Sequence, residues 1–501
     1  MAIYTAPVKS LANQKYVELC EKFDDVGLIT GDVTTNPTAQ CLVMTAEVLR
    51  NQLFTQSPNI SQFYYVILDE AHYIRDPQRG FIWEQIIIQC PPDVRFVLLT
   101  ATLPNYYILA QWIYSIKQTP VHCVYQQKRP VPLRIYGLSD NSQPILLKDG
   151  DSPLNHKELA TLCDFKYTNI GSPYQISSLP KDPPYYIISN HANLLVSKGE
   201  MPLLLFCLSR KRCMKVAKHL DGIPDSIDAL TFFDAASENW ESDVLNSKQF
   251  EFIRNLVSRG IGVHHSGILP IIRETIELLF STGKLVVLVA TETFALGVNA
   301  PARSVMFSSI IKWGGTSFRS ITTSEFLQMA GRAGRRGYDK YGNVYIYIPE
   351  NTDPNLISTI IGSLPEKLIS RFRITSSLIL SCISININTS EFISKSLLLY
   401  MNQLKLPYLK RKLEQIEDDE TNGNNNINEF AKMLEQLKKI ALSPQYIKIA
   451  VRALKRLKEL LIQFGNAAVA MKVPELTERF QKAVEKLDEG EKFDASLYKV
   501  E

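Results

Sequence analysis

The sequence has no C-x-x-C pair, no apolar run long enough to cross a bilayer, and no large excess of charge of either sign. Its eight cysteines, Cys20, Cys41, Cys90, Cys123, Cys163, Cys207, Cys213 and Cys382, are scattered, and no histidine stands at zinc spacing beside the nearest two, Cys207 and Cys213. A disulfide framework and a cysteine-held zinc are not supported; buried thiols in a reducing compartment are expected. The roughly 18 consecutive apolar residues of a spanning helix occur nowhere, and no signal peptide opens the chain, so no membrane partner is expected. Nuclear and cytoplasmic residence both fit. A net charge of +4 over 501 residues neither demands nor excludes nucleic acid, because an internal channel needs only a local basic lining. The phosphate-cradling pattern G-x-x-x-x-G-K-[ST] is absent as well.

What is present has the composition of a globular chain, 45% hydrophobic and 21% charged. Its length suits two or three domains, since single cores seldom grow past about 250–300 residues. Short apolar runs at Val43-Met44, Tyr65 to Leu68 and Phe96 to Leu99 each end in polar residues and a turn, the pattern of parallel strands feeding loops and helices. The pattern returns at Leu203 to Phe206, Leu285 to Val289 and Val344 to Ile348. The fold class is therefore α/β, two units in series. Arg129 to Pro184, rich in Pro, Ser, Asp and Asn, reads as a linker with surface excursions, and acidic Phe232 to Asn246 as an insertion loop. After Pro354 the pattern is helical. Asp418 to Asn428 is polar and low in complexity, and amphipathic stripes follow at Met433 to Ala441, Ile447 to Leu461 and Leu476 to Leu487.

Val66-Ile67-Leu68 runs into Asp69-Glu70-Ala71-His72, a strand ending in adjacent carboxylates. In a nucleotide hydrolase a Mg²⁺ ligand and a base belong at such a place; a strand ending on a solvated acidic turn is the plain alternative. Thr100-Ala101-Thr102-Leu103-Pro104-Asn105 ends the next strand, and its hydroxyls could relay hydrogen bonds to the carboxylates. Gln328-Met329-Ala330-Gly331-Arg332-Ala333-Gly334-Arg335-Arg336-Gly337 interleaves three glycines with three arginines. Glycine weakens a helix by about 1 kcal/mol, so the set suggests a polyanion against the backbone, with an arginine fork on a transferred phosphoryl group. The small and hydroxylated residues of Thr291 to Pro301 suit close passage of a sugar-phosphate backbone.

In this order the segments resemble the motif series of the Ski/Mtr branch of superfamily two, the DExH-box RNA helicases that feed the exosome. Tyr4 to Lys15 resembles motif Ia, Val26 to Val33 motif Ib, and Leu42 to Arg50 the motif after it. Asp69 to His72 is similar to motif II, Thr100 to Asn105 to motif III, Ala290 to Pro301 to motif V and Gln328 to Gly337 to motif VI. Gly262-Val263-His264-His265-Ser266-Gly267-Ile268-Leu269-Pro270 is specific to the branch, and Arg371 to Thr375 resembles the start of its winged helix. The resemblance implies two RecA-like lobes with parallel sheets, at 1–128 (the first lobe incomplete) and 129–355 (with linker 129–184), then a partial winged helix and the start of a helical stalk at 356–501. It implies ATP and Mg²⁺ as cofactors, and RNA, the exosome and adaptor subunits as partners. Asp69 and Glu70 would hold Mg²⁺, with Glu70 activating water and His72 coupling the lobes. Gly297, Gln328, Arg332 and Arg335 would face the nucleotide, Arg335 as arginine finger. Pro7, Lys9, Gln14, Thr30, Gly31, Thr45, Thr291 and Asn299 would line the RNA track, giving little sequence specificity.

The pattern is broken where the phosphate-binding loop should precede motif Ia. The sequence thus reads as truncated at its N-terminus, with an open sheet edge and a weak or inactive ATPase; a non-hydrolysing RNA-binding adaptor that retains the fold is the alternative. The family's activity would be 3′-to-5′ unwinding that feeds RNA to the exosome for processing or decay.

Overall fold

The computed structural model describes residues 1–56, 63–101, 103–126, 128–140, 143–163, 183–297, 300–315, 317–405 and 411. Thr102, Asn299, the 418–428 stretch and the stripes between 433 and 487 lie outside them.

Among the described residues fifteen strands are formed: β1 (Ala2–Ala6), β2 (Val26–Ile29), β3 (Thr34–Thr35), β4 (Cys41–Thr45), β5 (Tyr65–Leu68), β6 (Arg95–Leu98), β7 (Leu133–Leu138), β8 (Ile145–Asp149), β9 (Leu203–Phe206), β10 (Ile261–His264), β11 (Val287–Ala290), β12 (Ser304–Phe307), β13 (Ile311–Trp313), β14 (Phe318–Ser320) and β15 (Gly342–Tyr347). The first sheet has the order β3-β2-β4-β1-β5-β6 and the second β10-β11-β9-β12-β15-β7-β8. Both are parallel except at one hairpin each, β2–β3 and β7–β8. Buried parallel strands need apolar residues on both faces, and β2, β9, β10, β11 and β12 are buried at every residue. This is the α/β architecture with two parallel-dominated sheets expected from the sequence.

Among the described residues the first sheet ends at β6, paired with β5; Val97 of β6 is 41% exposed and Leu99 just beyond it 44%.

Two readings need correction. The supposed linker 129–184 contributes β7, β8 and the helix His156–Cys163 to the second lobe, with β7 inside the sheet between β15 and β8. Gly137 in β7 is a packing glycine: a Cβ there would lie 2.4 Å from Leu162 Cδ1 of that helix. The supposed insertion loop 232–246 is also helical, at Ile227–Ser237 and Ser242–Leu245. Phe233, Trp240 and Phe250 form a ring cluster beneath it, and Asp234 grips Arg254 with two 2.7 Å bonds.

Beyond the helix Pro354–Gly362 the chain leaves the second lobe and returns to the first. Leu368, Phe372, Leu378, Cys382, Phe392 and Leu397 are buried in the same core as Ile3, Val66 and Trp83 of the first lobe. Polar contacts fix the return. Asn105 Oδ1 accepts from Leu368 N at 2.6 Å, and Trp112 Nε1 donates to Lys395 O at 2.9 Å. Glu84, wholly inside the helix Phe81–Gln89, accepts from Ser370 Oγ at 2.9 and 3.0 Å and from Arg371 N at 2.8 Å. Thr375 then caps the helix Ser376–Ser384 through Leu378 N.

Burial pushes the Glu84 carboxyl up to about 7, against the pull of its Ser370 and main-chain donors. The unfolded chain sheds this proton near pH 4.3, the folded chain only near 7. Its contribution to stability is therefore full below the unfolded value and is lost as pH rises through the folded one. The unfolding temperature of wild type relative to Glu84→Gln is expected to fall between pH 5 and 8, by scanning calorimetry; parallel curves would show that Glu84 does not titrate in this window.

Candidate active site between the lobes

At the C-terminal end of β5 the ladder extends one residue, Asp69 N donating to Thr5 O at 3.1 Å. Glu70 then takes a left-handed conformation, φ 51°, which turns the chain into the 3₁₀ helix Ala71–Arg75. A non-glycine residue in this region costs energy and is held there by its surroundings. Asp69 is clamped on both oxygens: Oδ1 accepts from Glu70 N at 2.9 Å, and Oδ2 accepts the Tyr4 hydroxyl from β1. Burial and this bond push the Tyr4 phenol above its usual range. Burial and the neighbouring Asp69 charge raise the Glu70 carboxyl, with Arg332 opposing. A carboxylate raised toward neutrality is a better base. His72 Nδ1 lies 3.3 Å from Glu70 Oε2. Burial, then Arg75, push His72 down to about 4, so it is neutral at physiological pH.

From the second lobe, Gln328 lies half-buried on the helix Thr323–Ala330. Thr322 and Glu325 form a capping box at its start, with Thr322 N donating to Glu325 Oε2 at 2.8 Å. Burial alone would raise Glu325, but the Arg319 fork, Thr322 N and Lys312 hold it down to about 2. Arg332 follows this helix, is half-buried, feels the charges of Glu70 and Tyr73 and donates to Ala295 O. Glu70, His72 and Arg332 are thus brought together from two lobes. Arg335 is engaged elsewhere: Nε and Nη2 reach Asp339 at 2.8 and 3.0 Å, and its own amide donates to the same carboxylate at 2.9 Å.

The glycines near Arg332 have a structural cause that the sequence reading missed. Gly334 has φ 87°, and a Cβ there would lie 2.5 Å from Val131 Cγ1. Gly337 has φ 84° in the following turn. Their pattern follows from backbone geometry, leaving the arginines to argue for an anion.

Thr100 is exposed and Thr102 lies outside the described residues; a main-chain bond, Ala71 N to Leu99 O at 2.8 Å, ties the strand before this loop to the turn after Glu70. Gly297 ends the helix Glu292–Gly297. His264, in the branch-specific segment, is buried and bonds Glu277 at 2.6 Å while meeting the Phe294 ring edge-on.

Of the residues expected on an RNA track, Pro7, Lys9, Gly31 and Thr45 line one pocket of about 420 Å³. Thr30 is buried beside it, its hydroxyl accepting from Val33 N at 3.1 Å. Gln14, on the helix Lys9–Cys20, bonds Glu18 at 3.2 Å. Thr291, in the second lobe, shares a 2.8 Å bond with Thr293. The helices Lys9–Cys20 and Glu292–Gly297 approach one another across the lobes. Sequence reasoning missed Tyr4, Arg75, Arg79, Asn105 and Asp339. Arg79 donates to Glu47 at 2.8 Å and to Pro7 O. A turn signal was there to read: Asp76 Oδ1 accepts from Gln78 N and Arg79 N at 2.9 and 2.7 Å. Arg75 spans the lobes to Ser324 at 3.3 Å and to Glu366 O.

Two α/β lobes that set an acidic pair against an arginine form a helicase-type core. Residues 1–109 match the DEAD/DEAH box helicase family and residues 235–337 the helicase conserved C-terminal domain. The chain is 37% identical to an uncharacterised helicase of Schizosaccharomyces pombe, over 87% of this chain and 44% of that protein. It is 37% identical to the ATP-dependent RNA helicase mtr4 of the same yeast, over 82% of this chain and 39% of that one. To the exosome RNA helicase MTR4 of Mus musculus it is 35% identical, over 87% of this chain and 43% of the other. The chain belongs to the Ski/Mtr-type DExH-box helicases. It spans about two fifths of the length of these relatives.

Asp339→Ala is expected to cost about 1–3 kcal/mol, the range for bonds to charged groups, read as a lowered midpoint of thermal unfolding. An unchanged midpoint would mean that the Arg335–Asp339 fork does not persist in solution.

Proposed function

We propose that this chain carries the motor of an ATP-dependent RNA helicase that moves 3′-to-5′ and delivers RNA to the exosome for processing or decay. The observation that carries the reading is the Asp69-Glu70 pair at the end of β5 with His72 beside it, and Arg332 of the second lobe exerting its charge on Glu70. The relatives named for RNA and the exosome support the substrate and partner.

The residues fit the cofactors in part. Asp69 and Glu70 offer the hard oxygen donors that suit Mg²⁺, and Asp69 is already oriented by Tyr4 and the Glu70 amide. When bound, the metal neutralises charge on the phosphate oxygens. Glu70, its pKa raised, takes the proton of the attacking water. Neutral His72 sits against Glu70 and relays its position to the 3₁₀ helix. Arg332 offsets negative charge from the second lobe. Arg335 must leave Asp339 before it can act as a finger. The backbone cradle for the phosphates has no counterpart in the 501 residues, since no G-x-x-x-x-G-K-[ST] segment occurs in them.

The 501-residue polypeptide is therefore expected to hydrolyse ATP weakly or not at all in a phosphate-release assay with RNA. Strong RNA-stimulated turnover, abolished by Glu70→Gln, would contradict this. The same polypeptide is expected to bind single-stranded RNA with an affinity that falls steeply with salt. Salt-insensitive binding would remove the RNA-track reading.

A further inference from the structure

The track pocket carries two cations, and each is already paired with a carboxylate. Lys9 Nζ meets Asp32, and Arg79 meets Glu47. The two pairs differ in how firmly they are held. Arg79 and Glu47 side chains are 34% and 38% exposed, and Arg79 also donates to Pro7 O, so three chain segments fix that guanidinium. Lys9 and Asp32 are 54% and 71% exposed. Exposed single pairs on flexible side chains are the weakest class of ion pair and are readily exchanged.

We propose that Asp32 is a built-in competitor of RNA phosphate for Lys9. The pocket, at about 420 Å³, has room for a sugar-phosphate unit. Lys9 Nζ lies over the backbone of Gly31, 3.5 Å from where a Cβ would stand, so the ammonium already sits at the pocket wall. A phosphate entering there meets a pair of zero net charge and must take the ammonium from Asp32. Lys9 therefore adds little net attraction until it is released. The inference rests on the RNA reading above. The turn that presents Asp32 is closed without its carboxylate: Thr30 N donates to Val33 O at 2.8 Å, and Thr30 Oγ1 accepts from Val33 N at 3.1 Å. Asp32→Asn thus removes charge and leaves the turn in place.

The test is fluorescence anisotropy of labelled oligouridylate with the 501-residue chain, from about 50 to about 200 mM salt. Wild type is compared with Asp32→Asn, Lys9→Met and the double variant, all checked for equal melting temperatures. Asp32→Asn is expected to tighten binding about 2- to 5-fold at low salt, the scale of one exposed pair. It should also steepen the log–log salt slope by about 0.7, the value for one further neutralised phosphate on a single strand. In the Lys9→Met background the gain should vanish, because Asp32 acts through Lys9. Unchanged or weaker binding by Asp32→Asn overturns the inference, as does an equal gain without Lys9. A wild type that binds without salt dependence would instead remove the RNA reading, and the inference with it.

Discussion

The short return segment near residues 366–372 is tied to the first lobe by buried polar contacts and reaches the second lobe where Ser324 bonds Glu366. Glu84 accepts its Ser370 and Arg371 donors, Asn105 bonds Leu368, and Arg75 reaches both Glu366 O and Ser324. Arg371 Nε closes the set on Arg75 O at 2.8 Å. Glu84 and Asn105 are buried, and buried polar groups cost free energy unless partnered, so the junction favours one arrangement over many. Ser324 lies on the helix that presents Gln328, and Arg75 ends the 3₁₀ helix that begins behind Glu70. A shift at the junction is thereby a shift of the second lobe's arginines relative to the acidic pair.

Within that frame the chemistry divides between parts that are fixed and parts that are free to exchange. Asp69 is clamped by Tyr4 and a main-chain amide, and half-buried Arg332 is held on Ala295 O. Arg335 and Lys9 instead hold carboxylates that, on the proposed function, a phosphate would have to replace. The fixed groups set geometry in advance, which is the main source of electrostatic catalysis. The exchangeable ones keep cations neutralised until an anion arrives.

Much of this was legible in the sequence for definite reasons. The apolar runs at Leu203 and before Ala290 are parallel strands buried at every residue, and the run before Asp69 is a parallel strand buried at Val66 and Leu68, so they stand out against their turns. The motif order named the acidic pair and the arginines. The segment at β7 was hidden because its strand carries Arg134 and Gly137 and lies among turn residues. Its place beside β15 is decided by tertiary pairing alone. Tyr4 was invisible as a site residue for a similar reason: only strand register brings β1 alongside β5 and its hydroxyl to Asp69. The glycines around Arg332 misled because a sequence cannot separate a backbone requirement from a ligand requirement. Glu84 reads as an ordinary helical glutamate until the chain returns over it.

The central claim is that the return segment fixes the lobes so that Arg332 faces Glu70. Its most direct measurement is a spin-label distance between exposed positions Tyr114 in the first lobe and Leu278 in the second, in the chain alone and with Asn105→Ala. A single narrow distance that broadens on loss of the Asn105–Leu368 bonds is the predicted result. A broad wild-type distribution that the substitution leaves unchanged would contradict the account.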